Sequence, residues 1–141
     1  MQIVPTLHFN GQATEAITLY ERAFHTKADF ILRYTDRNEA DWSDPIPPGQ
    51  ENYVYHAEMH IGGHRFMFGD NVEPDLSRTQ NSFLTVVFGT ADEVRAAYDV
   101  MKDGCTIIHP MHSTTYSACA VSLVDKFCFR WGLMTEQTSD I

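Results

Sequence analysis

The segment His56-Ala57-Glu58-Met59-His60 places a proton carrier or metal ligand at every second position. In extended backbone alternate side chains share a face, so His56, Glu58 and His60 stand in a row. Neutral imidazole can accept a proton near neutral pH, which makes His56 the candidate general base or hydrogen-bond donor. A shared metal is a different matter. Residues two apart on a strand are separated by roughly 6.8 Å and the outer pair by roughly 13 Å, too far to meet on one ion through bonds of about 2 Å. The row therefore reads as the polar face of a half-exposed strand.

His109-Pro110-Met111-His112 is a second candidate cluster. If that segment is extended, its two histidines fall on opposite faces, and Pro110 marks an edge strand or a bulge. His8 alternates with Leu7 and Phe9, whereas His25 and His64 fall at a helix end and a turn. Cys105, Cys119 and Cys128 have no C-x-x-C spacing and read as reduced thiols of a cytoplasmic protein. No G-x-S-x-G elbow, P-loop or G-x-G-x-x-G fingerprint is present.

The elements that must carry these groups follow from periodicity. Residues 3–9 read as a strand, Asn10 as the N-cap of a helix over 11–25, and Ala13, Ala16, Ile17, Tyr20, Ala23 and Phe24 as its apolar stripe. Residues 30–35, 53–61 and 65–68 are strands, the last two joined by a hairpin at Gly62-Gly63-His64. The plan then repeats. A strand at 83–88 leads into the capping box Thr90-Ala91-Asp92-Glu93 and a helix over 91–103 with Val94, Ala97, Tyr98 and Met101 inward. Strands follow at 106–111, 117–124 and 127–134. The two copies span about 3–70 and 82–134, and residues 135–141 read as a polar tail. The stretch 36–52, acidic and proline-rich with Trp42 in its middle, reads as a lid, an interface arm or a solvated acidic connector.

Composition narrows the function. The chain has 141 residues, 43% hydrophobic and 12% aromatic, enough for one folded core. Its 19 acidic against 10 basic residues give a net charge of −9, which opposes nucleic acid and anionic membrane as partners. No apolar run approaches the length of a bilayer span, and the first residues lack a signal-peptide pattern.

The strand-helix-three-strand repeat resembles the vicinal oxygen chelate superfamily of glyoxalases, bleomycin-resistance proteins and extradiol dioxygenases. Three stretches narrow the resemblance to its PhnB-like branch. They are Phe9-Asn10-Gly11-Gln12-Ala13, then His56 to Gly63 followed by Phe66-Met67-Phe68-Gly69-Asp70, and finally Asp125-Lys126-Phe127-Cys128-Phe129-Arg130-Trp131. Cys128 stands where the branch's closing turn has glycine, and Tyr116-Ser117-Ala118-Cys119-Ala120 replaces a tryptophan- and glycine-rich approach.

The resemblance implies an α+β fold of two βαβββ modules, forming a curved mixed sheet around a cleft, and a homodimer. It places metal ligands near Pro5, His56, Phe83 and Gly132, of which only His56 has a ligating side chain. No cofactor is therefore expected. Relatives often carry a ubiquinone-type methyltransferase label, yet the chain offers no glycine-rich loop for S-adenosylmethionine. The expected function is binding of a small, partly apolar ligand by Phe9, Trp42, Phe68, Met111, Tyr116 and Asp125, with His56 as the polar or catalytic group. Asp125 also reads as a turn cap, and Trp131 as either lining or core. The alternatives are a divalent-metal lyase, isomerase or dioxygenase, and a metal-independent enzyme with His56 as base.

Overall fold

Alternating apolar and polar residues give strands of period two, and glycine, proline and capping groups stop them. The computed structural model describes residues 1–41, 43–71 and 82–137, which form eight strands, two α-helices and one 3-10 turn. The chain divides into two units, Met1–Leu76 and Ser77–Ile141. The first contains β1 (Thr6–Phe9), α1 (Ala13–Phe24), β2 (Ala28–Arg33), the 3-10 turn Tyr34–Asp36, β3 (Val54–Ile61) and β4 (His64–Asp70). Its sheet has the order β1-β4-β3-β2, with β1 parallel to β4 and the other pairs antiparallel. The second contains β5 (Leu84–Phe88), α2 (Ala91–Met101), β6 (Thr106–His112), β7 (Ser117–Val124) and β8 (Arg130–Glu136). Its order, β5-β8-β7-β6, repeats the first with the same strand senses. The fold is α+β, two βαβββ modules.

One helix covers one face of each sheet. α1 turns Ala13, Ala16, Ile17, Tyr20 and Ala23 inward, against buried Leu7, Phe9, Ala57, Met59, Phe66 and Phe68. The Tyr20 and Phe68 rings meet at 6.1 Å. α2 turns Val94, Ala97 and Met101 toward Cys119, Val121, Leu123, Trp131 and Leu133. Each large side chain buried this way contributes about 1.5–3 kcal/mol. The alternate residues of every strand point to the opposite face, where chemistry has room.

The start of α1 differs from the sequence expectation. Its N-cap is Gln12 rather than Asn10, and Gln12 makes no side-chain capping bond. Asp70 supplies the acceptors instead. Its Oδ1 accepts from the N–H groups of Gly11 and Ala13 at 2.8 and 3.0 Å, and its Oδ2 from Val54 N–H at 2.9 Å. A carboxylate here also meets the positive end of the helix. Gly11 cannot be replaced cheaply: at φ +92° its Cβ would come within 2.6 Å of the Tyr53 ring. α2 is capped locally, as expected, by Thr90, whose Oγ1 accepts from Glu93 N–H at 3.2 Å.

Several boundaries also move. β1 begins at Thr6, after Pro5, and Tyr34–Asp36 is a 3-10 turn because Asp36 Oδ2 captures the N–H of Arg33 at 2.9 Å. β8 begins only at Arg130, and it runs to Glu136, into the expected tail. Within 36–52, Tyr55 Oη donates to Asp41 Oδ2 at 3.1 Å. Trp42 and residues 138–141 lie outside the described residues. The three cysteines are free, and burial pushes the Cys105 thiol up. Among the described residues, no helix is long and apolar enough to cross a membrane.

Candidate ligand site

The face of the second sheet turned away from α2 carries a cavity of about 380 Å³. Its floor comes from the alternation of β8: Trp131 and Leu133 are buried toward the helix, and Arg130, Gly132 and Met134 take the other face. Gly132 pairs with Thr85 on β5 and with Ser122 on β7. A Cβ on Gly132 would lie 3.0 Å from Thr85 Oγ1 and 3.6 Å from the Phe83 ring, so glycine keeps this floor open. Met134 and Tyr116 supply further apolar wall, and Tyr116 is 62% exposed.

The edge strand β6 contributes both of its histidines. His109 faces Ser122 and His112 faces Ala120, with register shifts before and after His109. The sequence reading put the two rings on opposite faces. The irregularity at Pro110 changes the count by one and brings both into the cavity lining. His112 Nδ1 lies 2.6 Å from the Pro110 carbonyl, so it carries the donated proton and leaves Nε2 as the acceptor in a neutral ring.

Two further groups set the polarity. The guanidinium carbon of Arg130 sits 4.1 Å from the centre of the Phe83 ring, a cation–π stack. The Ser122 hydroxyl is buried with no hydrogen-bond partner. Among the described residues, no carboxylate belongs to the lining.

The first sheet presents a different constellation on the face turned away from α1. Glu58 accepts two hydrogen bonds from Arg65, Nε to Oε1 at 2.8 Å and a terminal nitrogen to Oε2 at 2.7 Å. His56 Nε2 stands 2.7 Å from the same Oε2. The Arg65 bonds, and then the His56 bond, hold the Glu58 carboxyl at about 2. An ionised carboxylate only accepts, so His56 donates through Nε2–H and, when neutral, keeps its lone pair on Nδ1. Phe30 packs beside the ring at 5.8 Å between centroids. His60 turns away to Asp29, at 2.7 Å, so the row of three splits into two separate pairs.

Residues 1–134 match the family described as 3-demethylubiquinone-9 3-methyltransferase. The chain belongs to that family. It is the PhnB-like branch of the vicinal oxygen chelate superfamily to which the sequence motifs point. No curated protein matches the chain. Among solved structures, protein PA1353 from Pseudomonas aeruginosa is 23% identical with a TM-score of 0.81, covering 97% of this chain and 98% of that one. A PhnB protein from Bacillus cereus, bearing the same methyltransferase description, is 27% identical with a TM-score of 0.79, covering 96% and 99%. The fosfomycin resistance protein FosX from Listeria monocytogenes, 11% identical with a TM-score of 0.64 over 98% and 94%, shares the fold.

At the positions where the resemblance would place metal ligands, the side chains present do not fit a metal. Pro5 and Phe83 have no ligating side chain, and a Cβ on Gly132 would meet Thr85 Oγ1 at 3.0 Å. Among the described residues no group of three His, Cys, Asp or Glu side chains could hold an ion.

Of the described residues expected to line a ligand site, only Tyr116 is in the lining of the second-sheet cavity. Phe9 and Phe68 are buried on the helix side of the first sheet. Alternation along a strand does not say which of its two faces a helix covers. Met111 is half-buried on β6 outside the lining, and Trp131 is core. Asp125 is 3% exposed and holds its own turn, accepting from Phe127 N–H, Phe129 N–H and Trp131 Nε1 at 2.9, 3.0 and 2.9 Å. Phe83, Thr85, Ser122 and Arg130 also line the cavity and were not among the residues expected to bind a ligand. The signal for them was the alternation Arg130-Trp131-Gly132-Leu133-Met134, whose even members face away from the helix.

Proposed function

We propose that this protein binds a small, partly apolar molecule in the cavity of its second sheet, without a metal at the superfamily's ligand positions. The observation that carries the reading is the glycine floor at Gly132, walled by Phe83, Tyr116 and Met134 and flanked by polar groups. Small-ligand sites have this character: a mostly apolar concavity with a few convergent polar groups. A thermal-shift screen with small aromatic compounds, followed by calorimetry on Tyr116→Ala, tests it. Binding that weakens in the variant at an unchanged melting temperature supports the reading; failure of every compound to bind removes it.

A second reading rests on His56. With Nε2 committed to Glu58, and Glu58 clamped by Arg65, the Nδ1 lone pair is positioned as a general base for metal-independent chemistry. Turnover of any bound compound that disappears in His56→Ala would favour it. We further propose a cytoplasmic homodimer, for which Ile107 and Ile108, exposed on the edge strand β6, offer apolar surface; sedimentation of the purified protein tests the dimer.

A further inference from the structure

We infer that the molecule taken by the second-sheet cavity is small and flat and carries a hydroxyl group that donates a hydrogen bond to Nε2 of His112. The inference rests on the binding reading above and names the class of its ligand. The fold fixes the tautomer of His112. Its Nδ1 lies 2.6 Å from the Pro110 carbonyl of the same strand, and a carbonyl oxygen only accepts. In the neutral ring the proton is therefore on Nδ1, and Nε2, on the opposite side of the imidazole, keeps its lone pair. Among the described residues Nε2 has no hydrogen-bond partner, and the ring belongs to the cavity lining.

That lone pair only accepts, so it requires a donor from the ligand. The Thr85 hydroxyl, in the same lining, both donates and accepts and does not discriminate. A ligand hydroxyl suits both groups, because it donates to the imidazole and still offers its oxygen as an acceptor. The bond to Pro110 also restricts rotation of the His112 ring, so the acceptor is oriented before a ligand arrives and less freedom is lost on binding. Shape follows from the walls. Phe83 and Tyr116 are both exposed and both line the cavity, with Met134 beside them. A flat apolar body laid against these rings covers surface that otherwise meets water.

The test uses phenol, with anisole, which keeps the oxygen but lacks its proton, and toluene, which lacks both. Each is titrated into the ¹⁵N-labelled full chain at about pH 8, where imidazole is ordinarily neutral. The amides of Ser122, Gly132 and Tyr116 report the place of binding, and the ring nitrogens of His112 report the bond. The free protein is expected to show a protonated Nδ1 and an unprotonated Nε2. Phenol should bind at these amides about fivefold or more tightly than the other two and move the Nε2 resonance toward the protonated position. Anisole and toluene should leave Nε2 in place. In His112→Phe, which keeps a ring but has no acceptor, phenol should fall to within about twofold of anisole. If that variant fails to fold, the Nε2 resonance of the wild type decides alone. Equal binding of phenol and anisole, a phenol preference that survives His112→Phe, a proton on Nε2 of the free ring or an unmoved Nε2 would each overturn the hydroxyl inference and leave the binding reading standing. Absence of any shift with all three compounds at millimolar concentration would overturn both.

Discussion

The indole Nε1 of Trp131 donates a 2.9 Å hydrogen bond to Oδ2 of Asp125, inside the core of the second unit. Oδ1 of the same carboxylate accepts from two backbone N–H groups of the turn that leads into β8. This buried hub positions Arg130 and Gly132, the next residues to face the cavity. Hydrogen bonds to a charged group contribute about 1.5–3 kcal/mol each, so Asp125→Ala should lower stability by about 3 kcal/mol or more. Urea denaturation measures it. A loss below about 1 kcal/mol would mean that the turn is held by other contacts.

Cys128 occupies that turn at φ 72°, where a side chain is strained. Left-handed backbone costs a non-glycine residue about 1–2 kcal/mol, offset in part by the entropy glycine loses on folding. Cys128→Gly should therefore stabilise the protein by about 0.5–1 kcal/mol, read as a rise in melting temperature. A fall would show that the cysteine's own contacts outweigh the strain.

Glu58 gives the fold an acid dependence. Its carboxyl, ordinarily titrating at 4.5, is held at about 2 by Arg65 and His56. A depressed folded-state value means that the unfolded chain takes up the proton first. The stabilisation is thus fully present above about pH 5 and is lost as pH falls through 4.5 toward 2. Glu58→Gln should be less stable at neutral pH and show a shallower loss of stability over that window. Equal slopes for the variant and the wild type would refute the assignment.

His56→Ala separates the two functional readings. It removes the ring bonded to Glu58 but no residue of the second-sheet cavity. Binding there should remain within about twofold, with the melting temperature nearly unchanged, because the ring is half-exposed. Loss of turnover together with retained binding would identify His56 as the base.

The repeat of two βαβββ modules, the Gly62-Gly63 hairpin, the inward stripes of both helices and the Thr90 cap were legible because each depends on residues close in sequence. The positive φ at the glycine-replacing Cys128 was legible from the motif it interrupts. What failed was non-local. Asp70 caps a helix that begins 57 residues before it, and no local pattern announces such a bond. Phe9 and Phe68 alternate correctly, yet period two cannot say which face a helix will cover. The irregularity at Pro110 reverses the relation between His109 and His112, and its place in the register depends on the partner strand. The cavity-lining residues that the sequence did not single out for a ligand, Phe83, Thr85, Ser122 and Arg130, come from three strands and the segment before β5, and the sheet order brings them together.

The most direct test of the account is calorimetric titration of a screened ligand against the wild type and Gly132→Val. Valine would place its branched side chain against Thr85 and Phe83, on the floor of the cavity. The account predicts binding by the wild type and a loss of about tenfold or more in the variant, with the variant still folded by circular dichroism. Tyr116→Ala, altered at an exposed wall, should weaken binding by a smaller factor and confirms the location if Gly132→Val is too unstable to study. Undiminished binding by a folded Gly132→Val would contradict the account, because the ligand would then lie somewhere other than the open face of the second sheet.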